Sequence, residues 1–291
     1  MAELKHFKEF QSINDYDTYI NGNPILPNVS FVGENQDVYY KNGEPTPPPH
    51  DYTQDYLTLT FLEDNGSISS YEDSVYFSTD GENWETSLEN LSNGSIVYVK
   101  GDVKYFDGSS FSILEVSGRY NAEGNIMSIY DSENFSAITS FNSDERIAAV
   151  FAGTEIISAE NVVFPATTLA PYCYFRMFLG CSSLVNAPEL PATTLANFCY
   201  YEMFNGCTSL TTAPELPATT LTNGCYSDMF LGCSSLSSIR CLATDISATA
   251  CTYSWVNGVS ENGTFVKVSD VDWSGKTDYN GIPSGWQVVD V

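Results

Sequence analysis

Cysteine is the residue type with the most chemical potential in this chain, and its spacing is regular. Eight cysteines lie between Cys173 and Cys251. Cys173, Cys199, Cys225 and Cys251 are 26 residues apart, as are Cys181, Cys207 and Cys233; only Cys241 fits neither series. An even count can signal a disulfide framework. Equal spacing is what an internal repeat produces, and free cysteine is a common small buried hydrophobe. Buried thiols are therefore expected rather than bridges. No C-x2-C pair occurs, and the two histidines, His6 and His50, lie far from the cysteines. That pattern suits neither a zinc site nor a histidine-based triad.

Carboxylates are the other reactive group in quantity. Aspartate and glutamate number 37 against 11 lysines and arginines, a formal net charge of −26. Asp15 with Asp17, Asp51 with Asp55, and Glu82 with Glu85 are close in sequence. Acid–base work would need a pocket and a shifted pKa around such a pair. A nucleophilic thiol would need a neighbouring base, and no histidine lies within the cysteine region. No glycine-rich phosphate loop is present. The reading is a non-enzymatic protein with no catalytic residue, metal or cofactor. So acidic a surface repels phosphate, which argues against nucleic acid and anionic lipid as partners. No run of 18 apolar residues exists to span a membrane. Met1–Phe10 alternates charged and apolar residues without a hydrophobic stretch, so no Sec signal is read there and reduced thiols are expected.

The elements that position the cysteines follow from the repeat itself. The middle unit reads LANFCYYEMFNGCTSLTTAPELPATT, and its apolar columns recur every 26 residues: Leu169/Leu195/Leu221, Met177/Met203/Met229, Phe178/Phe204/Phe230, Leu184/Leu210/Leu236 and Leu190/Leu216/Leu242. A partial unit with Phe151, Gly153 and Ile157 precedes them, and a decayed unit from Leu242 keeps Cys251. A period of about 20–29 residues with leucine at fixed places implies a leucine-rich-repeat solenoid. One unit cannot bury its own apolar face, so neighbours must stack and the altered end units cap the stack. Leu195, Cys199 and Met203, with Phe198, share one helical stripe. Thr193 or Thr194 can cap its start, and Gly206 fits the left-handed position past its end. Pro214 and Pro217 lack N–H donors, so the following extended segment must be short or irregular.

The runs GCTSLTTAPELPATTL and CYYEMFNGC resemble the BspA-like leucine-rich repeats of Bacteroidales and their bacteriophages. The tail from Cys241 to Val291 resembles the closing segment of such chains. The 26-residue period is longer than is usual for that family. The resemblance implies recognition or adhesion and carries over no catalytic residues.

Hydrophobic residues make up 43% of the 291, with 17 Phe, 19 Tyr and 4 Trp, which is ample for a buried core and roughly two domains. Residues 51–130 read as an Ig-like β-sandwich. Tyr56–Leu62 alternates, and further strands are expected at Ser74–Ser78, Ser95–Lys100 and Ser110–Ser117, separated by turn clusters. Ser78–Trp84 (STDGENW) resembles the Asp-box hairpin of sialidase-like propellers; it also reads as a tight hairpin with Asp-Gly at its tip. EPTPPPH at 44–50 is a stiff linker. Before it, PILPNVSFVGENQDVYY resembles the N-terminal segment of structural proteins of Bacteroides phages, including crAss-like phages. That makes Pro24, Leu26, Val29, Phe31, Val38, Tyr39 and Tyr40 candidate anchor residues. The whole is expected to be mainly β with short helices: an anchoring arm at 1–50, the sandwich at 51–130, the solenoid at 131–251 and a β cap at 252–291.

Two surface features follow from the columns. Glu189 and Glu215 occupy equivalent places in coils about 5 Å apart. They either splay into water or hold Ca²⁺ or a cationic ligand. Tyr172, Tyr174, Tyr200, Tyr201 and Tyr226 form a second candidate patch, for sugar stacking or a partner, or else pack as core and rim. The phage resemblance implies a virion-surface protein assembled in the host cytoplasm. It would dock on other virion proteins through its arm, display the solenoid to a host glycan or protein, and form a homo-oligomer, often a trimer in phage. A bacterial cell-surface adhesin and a glycan hydrolase are the other readings left open.

Overall fold

The computed structural model describes residues 31–32, 38–41, 44–45, 50–104, 112–141, 147–276 and 278–291. Two units are resolved, residues 1–51 and residues 52–291. In the first, β1 (Phe31–Val32), β2 (Val38–Lys41) and β3 (Glu44–Pro45) form an antiparallel meander with Phe31 opposite Tyr39 and Tyr40 opposite Pro45. Phe31, Val38, Tyr39 and Tyr40 thus lie on paired strands. Pro24, Leu26 and Val29 lie outside the described residues.

The second unit is mainly β, with several sheets and none closed. Strands β4 (Leu57–Phe61), β5 (Gly66–Ser70), β6 (Val75–Ser78), β7 (Ser87–Leu91), β8 (Ile96–Gly101), β9 (Leu114–Ser117), β10 (Tyr120–Asn125) and β11 (Ile156–Val163) make two sheets, ordered β11-β10-β4-β8-β6 and β7-β5-β9. Alternation sets the faces. Leu57, Leu59, Phe61, Val97, Val99, Tyr120 and Ala122 point inward and are buried. The β10–β11 pair is parallel while the other pairs of that sheet are antiparallel, so the sheet continues past residue 130 into the repeat region. One apolar cluster runs through the whole unit. Gly124 has φ +91°, and a Cβ there would collide with the Tyr56 carbonyl oxygen. Among the described residues no helix is long and apolar enough to cross a membrane.

From residue 147 onward the chain winds in stacked coils. The segment 197–206 is not the helix its apolar stripe predicts. It is a run of turns in which Phe198, Glu202 and Gly206 have φ of +58°, +55° and +79°. A left-handed residue every fourth position breaks the helical path and divides the N–H donors in two. Cys199, Tyr201, Met203 and Asn205 donate within the coil to the carbonyls of Ala196, Phe198, Tyr200 and Glu202, at 3.2–3.3 Å. Phe198, Tyr200, Glu202, Phe204 and Gly206 donate to the next coil, to the carbonyls of Asn223, Cys225, Ser227, Met229 and Leu231, at 2.8–3.1 Å. The coil before repeats the pattern from Arg176, Phe178 and Gly180 to Tyr201, Met203 and Asn205, at 2.7–3.0 Å. The coil after repeats it from Tyr226, Phe230 and Gly232 to Cys251, Trp255 and Asn257, at 2.7–2.9 Å.

This ladder fixes the coil spacing, and aromatic columns record it. Phe151, Phe178, Phe204 and Phe230 stack with centroids 5.1, 5.4 and 5.8 Å apart and planes within 10°. Pro214 and Pro217 leave only isolated bridges on their coil, Thr212 to Ser238 and Leu216 to Cys241. Regular parallel pairing resumes in β12 (Ser238–Cys241), β13 (Thr264–Lys267) and β14 (Gln287–Asp290).

Gly206 lies over Gly180, and a Cβ there would sit 3.4 Å from the Gly180 Cα. Gly206→Ala is expected to cost about 1–2 kcal/mol, chiefly for the left-handed backbone. Gly124→Ala, which adds a backbone collision, should cost more. Urea denaturation of both variants checks the order; equal or negligible losses would contradict it.

Candidate functional site

The five candidate tyrosines separate into two groups. Tyr174, Tyr200 and Tyr226 are buried, and so belong to the core rather than to a surface patch. They stack face to face at 6.0 and 6.1 Å, and the column continues to Trp255 at 6.3 Å and Trp273 at 5.8 Å. Tyr172 is 39% exposed, and Tyr201 is partly exposed. Phe175 and Phe198, which the sequence reading did not assign to a surface, join them. Tyr172 stacks on Phe198 at 5.1 Å and 10°, and Phe175 on Tyr201 at 5.5 Å and 4°. Edge contacts within each coil, Tyr172 to Phe175 and Phe198 to Tyr201, close a four-ring cluster.

The cluster covers two coils and stops. Gly224 and Ser227 hold the same columns in the third coil. A Cβ on Gly224 would collide with the Phe198 ring, so glycine there lets the ring lie flat over the next backbone. The stacked rings spend faces on each other, which favours contact through their edges and rim. Charge lines one side. The Arg176 guanidinium lies 4.6 Å from the Phe175 centroid, a cation–π contact. Arg176 is also ion-paired with Glu202 in the next coil. Burial and then Glu202 push the Tyr201 hydroxyl up to about 12. Burial raises Asp228 on the third coil, and Glu202 adds to that rise. The columns that would reveal this cluster, Tyr172/Phe198/Gly224 and Phe175/Tyr201/Ser227, are legible in the repeat alignment.

Glu189 and Glu215 are both exposed. Glu215 is paired with an arginine of the next coil. Its Oε2 lies 2.6 Å from the Arg240 Nε, with both side chains about half exposed. That nitrogen lacks the alignment of a hydrogen bond, so the contact acts through charge alone. The arginine supplies a counter-charge to Glu215. Among the described residues, no three histidine, cysteine, aspartate or glutamate side chains gather as a metal site.

The Ser78–Trp84 loop is a self-contained hairpin tip. The Asp80 carboxylate accepts the N–H groups of Glu82 and Asn83 at 2.9 and 2.8 Å, the Ser78 hydroxyl at 2.9 Å and the Asn83 side-chain amide at 2.7 Å. These bonds hold the carboxyl well below its usual range. Trp84 meets the edge of Tyr56 at 5.4 Å and lies 3.9 Å below the Lys100 ammonium. A cleft of about 320 Å³ opens beside Tyr56, lined by Gln54, Asp55, Thr58, Ile96, Tyr98 and Glu123. Glu123 faces Tyr52, whose hydroxyl is raised first by burial and then by that carboxylate.

All eight cysteines are buried and unbridged. Cys181, Cys207 and Cys233 donate their thiol protons to the carbonyls of Phe151, Phe178 and Phe204 one coil back, at 2.9, 3.2 and 3.0 Å. Burial pushes Cys181, Cys225, Cys233 and Cys241 up to about 12. Cys173, Cys199 and Cys207 are raised for the same reason.

No protein-family model, curated protein or solved structure matches this chain.

The thiols make a pH prediction. A group whose pKa is raised on folding stabilises the fold below its unfolded value and loses that contribution as pH climbs toward the folded value. The window here runs from about 8.5, the unfolded thiol value, to about 12. Each thiol loses about 1.4 kcal/mol per pH unit within it. Together Cys181, Cys225, Cys233 and Cys241 are expected to exhaust a typical stability of about 5–15 kcal/mol before the upper limit. Circular dichroism should show unfolding by about pH 10–11, and Cys181→Ala should move that midpoint upward. A fold intact at pH 12 would contradict it.

Proposed function

We propose that this chain is a non-enzymatic structural and adhesion protein of a bacteriophage particle. It serves as a head fibre, capsid decoration or tail-fibre component, and its coils form a BspA-like leucine-rich-repeat solenoid. The observation that carries the reading is the coil stack. Its backbone ladder between coils and its stacked aromatic columns build a rigid body with repeated outward faces. Such bodies present extended surfaces to protein or glycan partners. The four-ring cluster with Arg176, Glu202 and Asp228 is the part of that surface best suited to recognition. Aromatic and arginine side chains are the usual anchors of interfaces. Its ligand on this reading is a host-surface glycan or protein.

Residues 1–50 serve as the attachment to other virion proteins. The support is the resemblance of PILPNVSFVGENQDVYY to phage structural N-termini, the proline-rich spacer after it, and the division of the described chain at residue 51. Homo-oligomerisation belongs to this reading as a property of fibres and decorations.

Peptide mass spectrometry on gradient-purified particles and on host envelopes tests the proposal. Stoichiometric peptides in the particle band are expected. Peptides confined to the envelope would overturn it in favour of a bacterial adhesin. A chain lacking residues 1–50 is expected to be absent from particles while still folding.

A further inference from the structure

The column of thiols ends in an amine. Cys173, Cys199, Cys225 and Cys251 repeat every 26 residues, and Lys276 follows 25 residues later in the segment that closes the last coil. The Lys276 Nζ lies 3.3 Å from the Cys251 Sγ. The thiol directs its own proton away, to the Ile246 carbonyl at 3.3 Å. The sulfur therefore offers lone pairs to the nitrogen.

The framework that holds the two atoms together uses neither of them. The Thr252 hydroxyl donates to the Asn280 carbonyl at 2.8 Å, and the Ser254 N–H to the Asn280 side chain at 2.7 Å. The Trp255 indole donates to the Gly281 carbonyl at 2.8 Å, and the Lys276 N–H to the Trp273 carbonyl at 2.9 Å. Trp255 and Trp273 stack at 5.8 Å. Reacting groups held at contact by a rigid surround gain the large effective concentrations of intramolecular chemistry. Cys181, Cys207 and Cys233 face backbone carbonyls instead, which form no bond with oxidised sulfur. Cys251 is fully buried, but Lys276 is only partly covered and is flanked by exposed Ser274 and Gly275. The amine side of the pair therefore lies nearest to solvent.

We propose that Cys251 and Lys276 form an N–O–S cross-link on exposure to molecular oxygen. Lys276 first releases a proton to solvent. One oxygen atom then bridges the sulfur and nitrogen, and the other leaves as water. The S–H bond, one N–H bond and the O–O bond break; S–O, N–O and two O–H bonds form. Sulfur and nitrogen each give up two electrons, and dioxygen accepts four. The product ties the closing segment to the last coil.

The test uses the full chain purified under argon with reductant, then divided. One half is oxygenated. Both are unfolded, alkylated and digested with trypsin. In the oxygenated half, the Cys241–Lys267 peptide is expected joined to the peptide bearing Lys276, heavier than their sum by one oxygen less two hydrogens. Cleavage after Lys276 should be lost, and dithiothreitol should restore it. Lys276→Arg and Cys251→Ser should each abolish the joined species. Lys276→Arg leaves the buried thiol in place, so it decides the matter if Cys251→Ser fails to fold. Full alkylation of Cys251 with normal cleavage after Lys276 would overturn the proposal. So would oxygen gained on Cys251 alone, or a joined peptide lacking the added oxygen.

Discussion

Everything in the repeat region depends on one interaction, the hydrogen bond from every second N–H of the turn run to a carbonyl of the next coil. It sets the step between coils, and through that step the spacing of every column. Left-handed backbone at Phe198, Glu202 and Asp228 costs about 1–2 kcal/mol per residue. The chain sustains that cost because the conformation turns half of its donors outward, where the next coil satisfies them. Stacking at 5.1–5.8 Å between phenylalanines follows directly, and so does the tight approach of Gly206 to Gly180.

The same geometry sorts side chains between inside and outside. Tyr174, Tyr200 and Tyr226 fill the core column that also holds Trp255 and Trp273. Tyr172, Phe175, Phe198 and Tyr201 occupy columns that reach the surface, and they persist only as far as Gly224 and Ser227 permit. Charged columns obey the same step, with Arg176 against Glu202 and Glu215 against Arg240. A surface of this kind is specified by where a repeated column changes residue type. That is why the break at the third coil, rather than the repeat itself, outlines the four-ring cluster.

Much of this was legible in the sequence. The 26-residue columns named the buried leucines, methionines and phenylalanines, and the equal cysteine spacing pointed to unbridged thiols. The proline pair pointed to broken pairing near Leu216. The apolar stripe from Leu195 to Met203 predicts a helix where the chain makes turns, and the cause is physical. Turns that repeat every four residues and a helix that repeats every 3.6 place apolar residues alike over so short a span. Tyrosine identity alone could not separate core from surface, because the alternation of donors is a backbone property. The parallel β10–β11 pair joins residues 36–38 positions apart, beyond any local pattern. Arg240, the partner of Glu215, lies one coil beyond the Glu189/Glu215 column.

The most direct test of the ladder is nuclear magnetic resonance detection of couplings across hydrogen bonds in the deuterated chain. The structure requires correlations from the amides of Tyr200, Glu202 and Phe204 to the carbonyls of Cys225, Ser227 and Met229. Correlations from those amides to Ala196, Phe198 and Tyr200 would instead mark an α-helix and contradict the account.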